Sequence, residues 1–199
     1  MTISGNGSFN DISFGNGEDS FIGAIRNSKI NMGSGNNLVT LQTGGGNYNS
    51  VVTGSGDDYV TVESGNNENQ ISLGSGTNTI YAIDTRQSVT TGDGVDSILV
   101  GSGYVNAGGG KNNVSLTAGS SSSGITGKDD DTIRIADLDT VDQRYENYIN
   151  AGEGNNYIYN SNIELSSINA GTGNDTIITG GGYGNYYRNH SYSQGYTSI

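Results

Sequence analysis

The stretch TGSGDDYVTV, from Thr53 to Val62, decides the fold because versions of it recur along nearly the whole chain. Its two glycines allow a tight reversal of the backbone, and turns favour the aspartates that follow them. Val60 and Val62 then alternate with polar residues, a period of two that is typical of a strand with one buried face. The stretch therefore predicts a tight turn that leads directly into a short strand.

The pattern Gly-x-Gly-x-(Asp or Asn)-x-apolar occurs nine times, and successive copies begin 16 to 25 residues apart. In the seventh copy Asp129 stands in place of the second glycine. A second feature recurs with the same spacing. Eight copies carry an apolar residue three positions before the leading glycine, and the seventh has Gly124 there. The nine copies begin at Gly15, Gly33, Gly54, Gly74, Gly92, Gly108, Gly127, Gly152 and Gly171.

One such unit cannot bury its apolar residues alone, whereas stacked units can. We therefore predict an all-β fold, a parallel β-solenoid of about nine coils with two short strands in each. The solenoid is predicted to span residues 1–179, with an acidic insertion at 136–147 that accounts for the longest spacing. A tail rich in glycine and tyrosine follows at 180–199.

The composition excludes several classes of function. The 199 residues carry a formal net charge of -12 and include no cysteine. A chain this acidic is a poor partner for nucleic acid or for an anionic membrane surface, and it favours a cation. No segment is long and apolar enough to span a bilayer, so no membrane insertion is expected.

Nothing in the sequence predicts an enzyme. His190, the single histidine, lies in the tail, and the carboxylate pair of Asp57 and Asp58 belongs to a turn that repeats. A repeated turn is not a unique acid/base site. Each Gly-x-Gly enters a strand rather than a helix, which argues against a phosphate-binding loop.

The segments GSGDDYVTV, GDGVDSILV and GTGNDTIIT resemble the nonapeptide of RTX (repeats-in-toxin) proteins, Gly-Gly-x-Gly-x-Asp-x-apolar-x. The resemblance implies a β-roll in which calcium ions sit between successive turns, held by aspartate side chains and backbone carbonyls. It also implies export to the outside of the cell or to the cell surface. The chain departs from the family because the leading glycine is replaced in most copies and because aspartate alternates with asparagine at the ligand position.

The residues that the resemblance places as calcium ligands lie on one edge of the predicted solenoid. They are Asp19, Asn37, Asp58, Asn78, Asp96, Asn112, Asp129, Asp131, Asn156 and Asp175. The opposite edge carries no acid at the matching position and is expected to bind no ion; the residues there are Ser28, Asn49, Asn69, Gln87, Gly103, Ser122, Asn147 and Ser166.

A second interpretation of the same residues needs no metal. Asparagine and aspartate form turns, and a ladder of them can hydrogen-bond from coil to coil. The sequence leaves both interpretations open.

The chain is almost entirely repeat, with no additional catalytic region. We therefore expect a secreted, non-enzymatic, calcium-binding structural protein that assembles into a homo-oligomer by end-to-end stacking, as in a fibre, matrix or surface layer. The alternatives are a binding module, such as an adhesin or an ice-binding solenoid, and a calcium-independent ladder of asparagine and aspartate.

Overall fold

Each repeat forms one strand before its glycine turn and one strand after it. The computed structural model describes residues 1–44, 47–84, 86–117, 121–136, 146–161, 166–179 and 186–189. Within these ranges every strand pair is parallel, and the strands form two sheets of ten strands each. The chain alternates between the two sheets, so the prediction of a parallel β-solenoid with two strands per coil is confirmed.

The first sheet contains the N-terminal strand and the nine strands that follow the glycine turns. They are β1 (Thr2–Ser8), β3 (Ser20–Arg26), β5 (Leu38–Leu41), β7 (Tyr59–Val62), β9 (Thr79–Ala82), β11 (Ser97–Val100), β13 (Asn113–Leu116), β15 (Thr132–Ile135), β17 (Tyr157–Asn160) and β19 (Thr176–Thr179).

The second sheet contains the nine strands that precede these turns and one strand that follows the last repeat. They are β2 (Asp11–Ser13), β4 (Lys29–Asn31), β6 (Ser50–Val52), β8 (Gln70–Ser72), β10 (Gln87–Thr90), β12 (Gly103–Asn106), β14 (Ser123–Ile125), β16 (Tyr148–Asn150), β18 (Ser167–Gly171) and β20 (Tyr186–Asn189).

The pairing register follows the repeat spacing of the sequence. Val39 pairs with Val60, and Val60 pairs with Ile80. The longest spacing appears where β15 pairs with β17, so that Ile133 lies opposite Ile158. Variation in coil length lies in the looser turns that leave the first sheet, because the glycine turns keep a nearly constant length. The glycine turns are therefore stacked in register along one edge of the solenoid.

The core lies between the two sheets: most strands of the first sheet bury two apolar residues, and most strands of the second sheet bury one. Val60 and Ile98 of the first sheet and Val51 and Val89 of the second are at most 1% exposed. Gly124 takes the core position of β14, where an added Cβ would lie 3.3 Å from Ile133 Cγ2. The seventh copy, which has Gly124 in place of an apolar residue, therefore lies at a narrow point of the core.

The leading glycines are required because consecutive coils are in close contact at the turns. A Cβ on Gly74 would lie 1.9 Å from the carbonyl oxygen of Gly54 in the preceding coil. The equivalent Gly15, in the first turn, has nothing within 4 Å of an added Cβ. The repeat of glycine thus follows from the stacking of turns.

Two strands lie outside the repeat pattern of the sequence. β1 precedes the first glycine turn and pairs with β3 over seven residues. β20 lies past the predicted boundary at residue 179 and pairs with β18. Most of the predicted insertion, 137–145, and the rest of the tail lie outside the described residues.

Candidate functional site

The candidate site is a line of inward-facing asparagine and aspartate side chains, one at the end of each glycine turn. Its nine members, named here the Asx column, are Asp19, Asn37, Asp58, Asn78, Asp96, Asn112, Asp131, Asn156 and Asp175. All nine are buried although each carries a polar or charged group. Buried polar groups need hydrogen-bond partners, so the contacts of the column decide what it can do.

Each side chain of the column bonds the coil before it. The backbone N–H of one member donates to the Oδ1 atom of the next, at N···O distances of 2.7 to 3.2 Å. These eight bonds join Asp19 to Asn37, Asn37 to Asp58, and so on without interruption to Asp175. At the first member, the amino group of Met1 donates to Asp19 Oδ1. Every Oδ1 atom of the column is thus a hydrogen-bond acceptor in use.

The four asparagines use their amide nitrogens within their own turns. Each Nδ2 donates to the carbonyl two residues earlier, at 2.7 Å for Asn37 and Asn112 and 3.3 Å for Asn78 and Asn156. In three coils Nδ2 also donates to Oδ1 of the next aspartate, as from Asn78 to Asp96 at 2.9 Å. The asparagine amides therefore link the turns in two directions.

The aspartates have no such use for their second oxygen. The Oδ2 atoms of Asp58, Asp96, Asp131 and Asp175 are buried and have no hydrogen-bond partner. These residues are between 1% and 3% exposed, so bulk water does not supply the hydrogen bond that Oδ2 lacks. Burial raises the pKa of Asp96, and it raises the pKa of Asp131 to about 6.

A threonine accompanies the aspartate in three coils, and no asparagine of the column has one. Thr53, Thr91 and Thr126 lie five residues before Asp58, Asp96 and Asp131, and all three threonines are buried. The residues at the same place before the four asparagines are Met32, Leu73, Ala107 and Ala151. Sequence reasoning missed this pairing. The signal was visible, because the position five residues earlier carries threonine before three of the aspartates and an apolar residue before every asparagine.

Two of these threonine hydroxyls are already donors elsewhere. Thr91 donates to the carbonyl of Ala107 at 2.9 Å, and Thr126 donates to that of Ala151 at 3.0 Å. Each bond crosses to the following coil. Burial is the largest influence on the pKa of Asp96 and Asp131, and the hydrogen bonds of Thr91 and Thr126 to the two carboxyls offset part of the rise.

Asp129 does not join the column. It is exposed and has a φ of 81°, in the left-handed region where glycine stands in the other turns. Aspartate tolerates this conformation better than most residues, so the residue substitutes for glycine as a turn former. The flanking acids Glu18, Asp57, Asp93 and Glu153 are also exposed, on the outer side of the turns.

The column does not offer the donor set that calcium prefers. Calcium takes six to eight oxygen ligands, whereas every Oδ1 here already accepts an N–H, and in three coils the aspartate Oδ1 accepts a second N–H from an asparagine amide. Across the described ranges, no three His, Cys, Asp or Glu side chains cluster as a metal site would need. The geometry favours the metal-free ladder, and calcium binding stays a prediction from the resemblance.

The opposite edge carries a second ladder that is uncharged. The N–H of Ser28 donates to Asn49 Oδ1 at 3.1 Å, and the N–H of Asn49 donates to Asn69 Oδ1 at 3.0 Å. At Gly103, which has no side chain, the buried Ser102 takes over, because its hydroxyl accepts the N–H of Arg86 at 3.3 Å. Both edges of the solenoid are therefore joined by side-chain ladders. On this edge the acids that bond across coils lie outside the ladder, as does Asp84, whose Oδ2 accepts the N–H of Asn66 at 2.9 Å.

The outward faces of the sheets carry mixed residues rather than a single repeated type. In the first sheet Leu38, Tyr59 and Thr79 follow one another in register, and Arg134 lies 5.2 Å from the ring centre of Tyr159. No helix in the described part of the chain is long and apolar enough to cross a membrane.

Comparison with family models, curated proteins and solved structures finds no match to this chain. The resemblance to RTX repeats consequently stays a prediction from the motif.

Proposed function

We propose that the protein is a non-enzymatic structural rod that assembles end to end with other copies of itself. The observation that supports this most directly is the open edge of the first coil. In the described residues, β1 pairs only with β3 and β2 only with β4, so one side of each terminal strand is unpaired. Unpaired strand edges are templates for addition of another strand.

The backbone of β1 shows which groups are available. The amino group of Met1 donates to the carbonyl of Glu18 at 3.2 Å, and the carbonyl of Met1 accepts the N–H of Ser20 at 2.7 Å. Residues alternate in direction along a parallel strand, so Thr2 and Ser4 direct their N–H and C=O groups away from the solenoid. These groups are free to pair with a strand of a second molecule.

The uniformity of the solenoid favours a second copy as that partner. Neighbouring coils in the described residues pair in parallel, with one register shift between β18 and β20, and the Asx column joins consecutive coils from Asp19 to Asp175. A coil from another molecule could repeat these contacts without a new type of interface. A head-to-tail contact of this kind does not close on itself, so it extends into a filament.

The test is to block the open edge without disturbing the fold. Ser4→Pro removes an outward N–H, and proline is tolerated at such edge positions. Ser4→Thr keeps the N–H and serves as the matched control. We expect the wild type and Ser4→Thr to form oligomers and filaments, and Ser4→Pro to remain monomeric with an unchanged circular dichroism spectrum.

Light scattering after size-exclusion chromatography and negative-stain electron microscopy measure the outcome. Filaments of Ser4→Pro equal to those of the wild type would contradict assembly through this edge. A wild type that stays monomeric at every concentration would contradict the proposed function itself. A location outside the cell stays a prediction from the resemblance to RTX proteins.

A further inference from the structure

We propose that the outward face of the second sheet binds a linear, uncharged polysaccharide with β-1,4 linkages, and that Tyr104 and Tyr148 are the platforms for two of its sugar rings. This face is separate from the Asx column and from the open edge of the first coil. The inference concerns a single chain and does not depend on the proposed assembly.

The face carries a regular alternation of tyrosine and serine. At one outward position of β10, β12, β14, β16 and β18, the residues in pairing order are Ser88, Tyr104, Ser123, Tyr148 and Ser167, named here the Tyr/Ser row. Tyr104 is 39% exposed and Tyr148 is 44% exposed. Neighbouring strands lie about 4.8 Å apart, so the two tyrosines are separated by about 10 Å along the solenoid. This spacing exceeds the roughly 4.5–7 Å between the centres of packed aromatic rings, so each tyrosine is a separate platform.

A second row supplies hydrogen-bonding groups beside the tyrosines. Asn106 and Asn150 lie two residues after Tyr104 and Tyr148, at the other outward position of the same strands, and both are partly exposed. Asn150 Oδ1 accepts Nδ2 of Asn169 at 3.1 Å, and Asn106 Oδ1 accepts the N–H of Gly108 at 3.3 Å. These bonds use Oδ1, and the protons on Nδ2 are donors that suit sugar hydroxyls. Tyrosine surfaces with serine and asparagine beside them are typical of binding surfaces.

The face is uncharged although the chain is strongly acidic. The sequence has 20 acidic and 8 basic residues. In the second sheet, no outward residue from β6 to β18 is charged. The acids lie at the turns instead, as the exposed Asp57 and Asp93 do. The net charge would repel an anionic polymer, and a cationic one would be drawn to the turns rather than to this face. A neutral ligand is therefore the class that the face suits.

The size of the face favours a single polymer chain over a second protein. The five strands of the Tyr/Ser row cover about 20–24 Å along the solenoid, and the two outward rows are about 7 Å apart. The face therefore offers on the order of 200–300 Å², whereas a stable protein complex buries about 800 Å² on each partner. A narrow, extended ligand needs no wider surface.

The spacing of the tyrosines points to the linkage. In a β-1,4-linked polysaccharide, neighbouring sugars are turned over relative to each other, so every second ring presents the same face. The two-sugar repeat of such an extended chain is close to twice the coil spacing. A chain lying along the solenoid can therefore place equivalent rings on Tyr104 and Tyr148, with the sugar between them over Ser123. An α-linked chain winds into a helix and does not keep this repeat.

Isothermal titration calorimetry of the full chain with cellohexaose tests the proposal, with maltohexaose as the α-linked comparison. We expect cellohexaose to bind and maltohexaose not to bind. Tyr104→Ala and Tyr148→Ala should each weaken binding about tenfold or more, and Tyr148→Phe, which keeps the ring, should retain most of the affinity. Tyr81→Ala is the matched control, because Tyr81 is 41% exposed on the outward face of the other sheet. It should leave the affinity unchanged.

A double variant tests the spacing itself. Tyr148→Ser combined with Ser123→Tyr keeps the composition of the face but brings the two tyrosines onto neighbouring coils. We expect it to lose as much affinity as Tyr148→Ala, with an unchanged circular dichroism spectrum because both positions point outward. Full affinity of the double variant would overturn the match between the tyrosine spacing and the ligand. In the wild type, ring signals of Tyr104 and Tyr148 should shift on addition of cellohexaose, a readout that requires no variant.

A wild type that does not bind cellohexaose at millimolar concentration would overturn the proposal. So would an equal loss of affinity in Tyr81→Ala, or a Tyr148→Ala variant that loses self-association in light scattering while no sugar binds, since the face would then be a contact between copies. The two proposals fail separately. Filaments that bind no sugar would contradict only this inference, and a monomer that binds cellohexaose would contradict only the assembly.

Discussion

Replacement of Asn78 by alanine is expected to break the Asx column at its middle. Asn78 is fully buried, and its Oδ1 accepts the N–H of Asp58 at 3.2 Å. Its Nδ2 donates to Asp96 Oδ1 at 2.9 Å and to the carbonyls of Gly74 and Gly76. Alanine removes all these bonds, so the buried N–H of Asp58 loses its acceptor, the carbonyls of Gly74 and Gly76 lose a donor, and Asp96 Oδ1 keeps only the backbone N–H of residue 78.

The magnitude follows from the buried groups that lose their partners. Each one destabilises the fold by about 1–3 kcal/mol, so we expect Asn78→Ala to lose roughly 3–5 kcal/mol. Asn36→Ala is the matched control, because Asn36 Oδ1 also accepts an N–H from the next coil, that of Asp57 at 2.9 Å, but at an exposed position. Water can replace that bond, so the loss should stay below about 1 kcal/mol.

The assay combines urea unfolding with amide hydrogen exchange. Repeat proteins can unfold in parts, so one global value is not sufficient. Exchange at the Asp58 amide reports the break directly, and its protection should fall far more in Asn78→Ala than in Asn36→Ala. Equal stability losses in the two variants would refute the reasoning that the buried column joins the coils.

Two further predictions concern packing. Gly74→Ala should destabilise the solenoid by several kcal/mol, because its Cβ would lie 1.9 Å from the Gly54 oxygen. Gly15→Ala, at the same place in the first turn, should be close to neutral because nothing lies within 4 Å of its Cβ. Thermal unfolding compares the two variants, and a neutral Gly74→Ala would contradict the close stacking of turns. Ile98→Ala opens a cavity in the core and should lower the free energy of unfolding by about 2–5 kcal/mol. Leu99→Ala, on the outward face of the same strand, should lower it by less than half of that in urea unfolding. Equal losses would contradict the inward orientation of Ile98.

Much of the fold could be predicted from the sequence because the repeat spacing determines the strand register. The predicted apolar positions, such as Val51 and Ile71, do form the core, and the exception at Gly124 lies where the core has little room for a side chain. β1 and β20 were not predicted because their segments lack the glycine turn that marks the other coils. Their strand conformation follows from pairing with β3 and β18, a tertiary effect that local patterns do not contain.

The candidate site was predicted only in part. The sequence identified nine residues that share a column, because they share one place in the repeat. It also added Asp129, which the structure places on the exposed side of its turn. Motif spacing could not tell which oxygens are already hydrogen-bonded, so the choice between a metal site and a ladder depended on the contacts of Oδ1 and Nδ2. The predicted ligand role of the column stays untested by experiment.

If side-chain ladders join the coils without metal, the purified chain should fold when metal is removed. Circular dichroism measures this in excess chelator at about pH 5, and again after millimolar calcium is added. We expect a strong β-sheet spectrum in chelator that calcium leaves unchanged. A chain that is unfolded in chelator and gains its β-sheet signal only when calcium is added would contradict it.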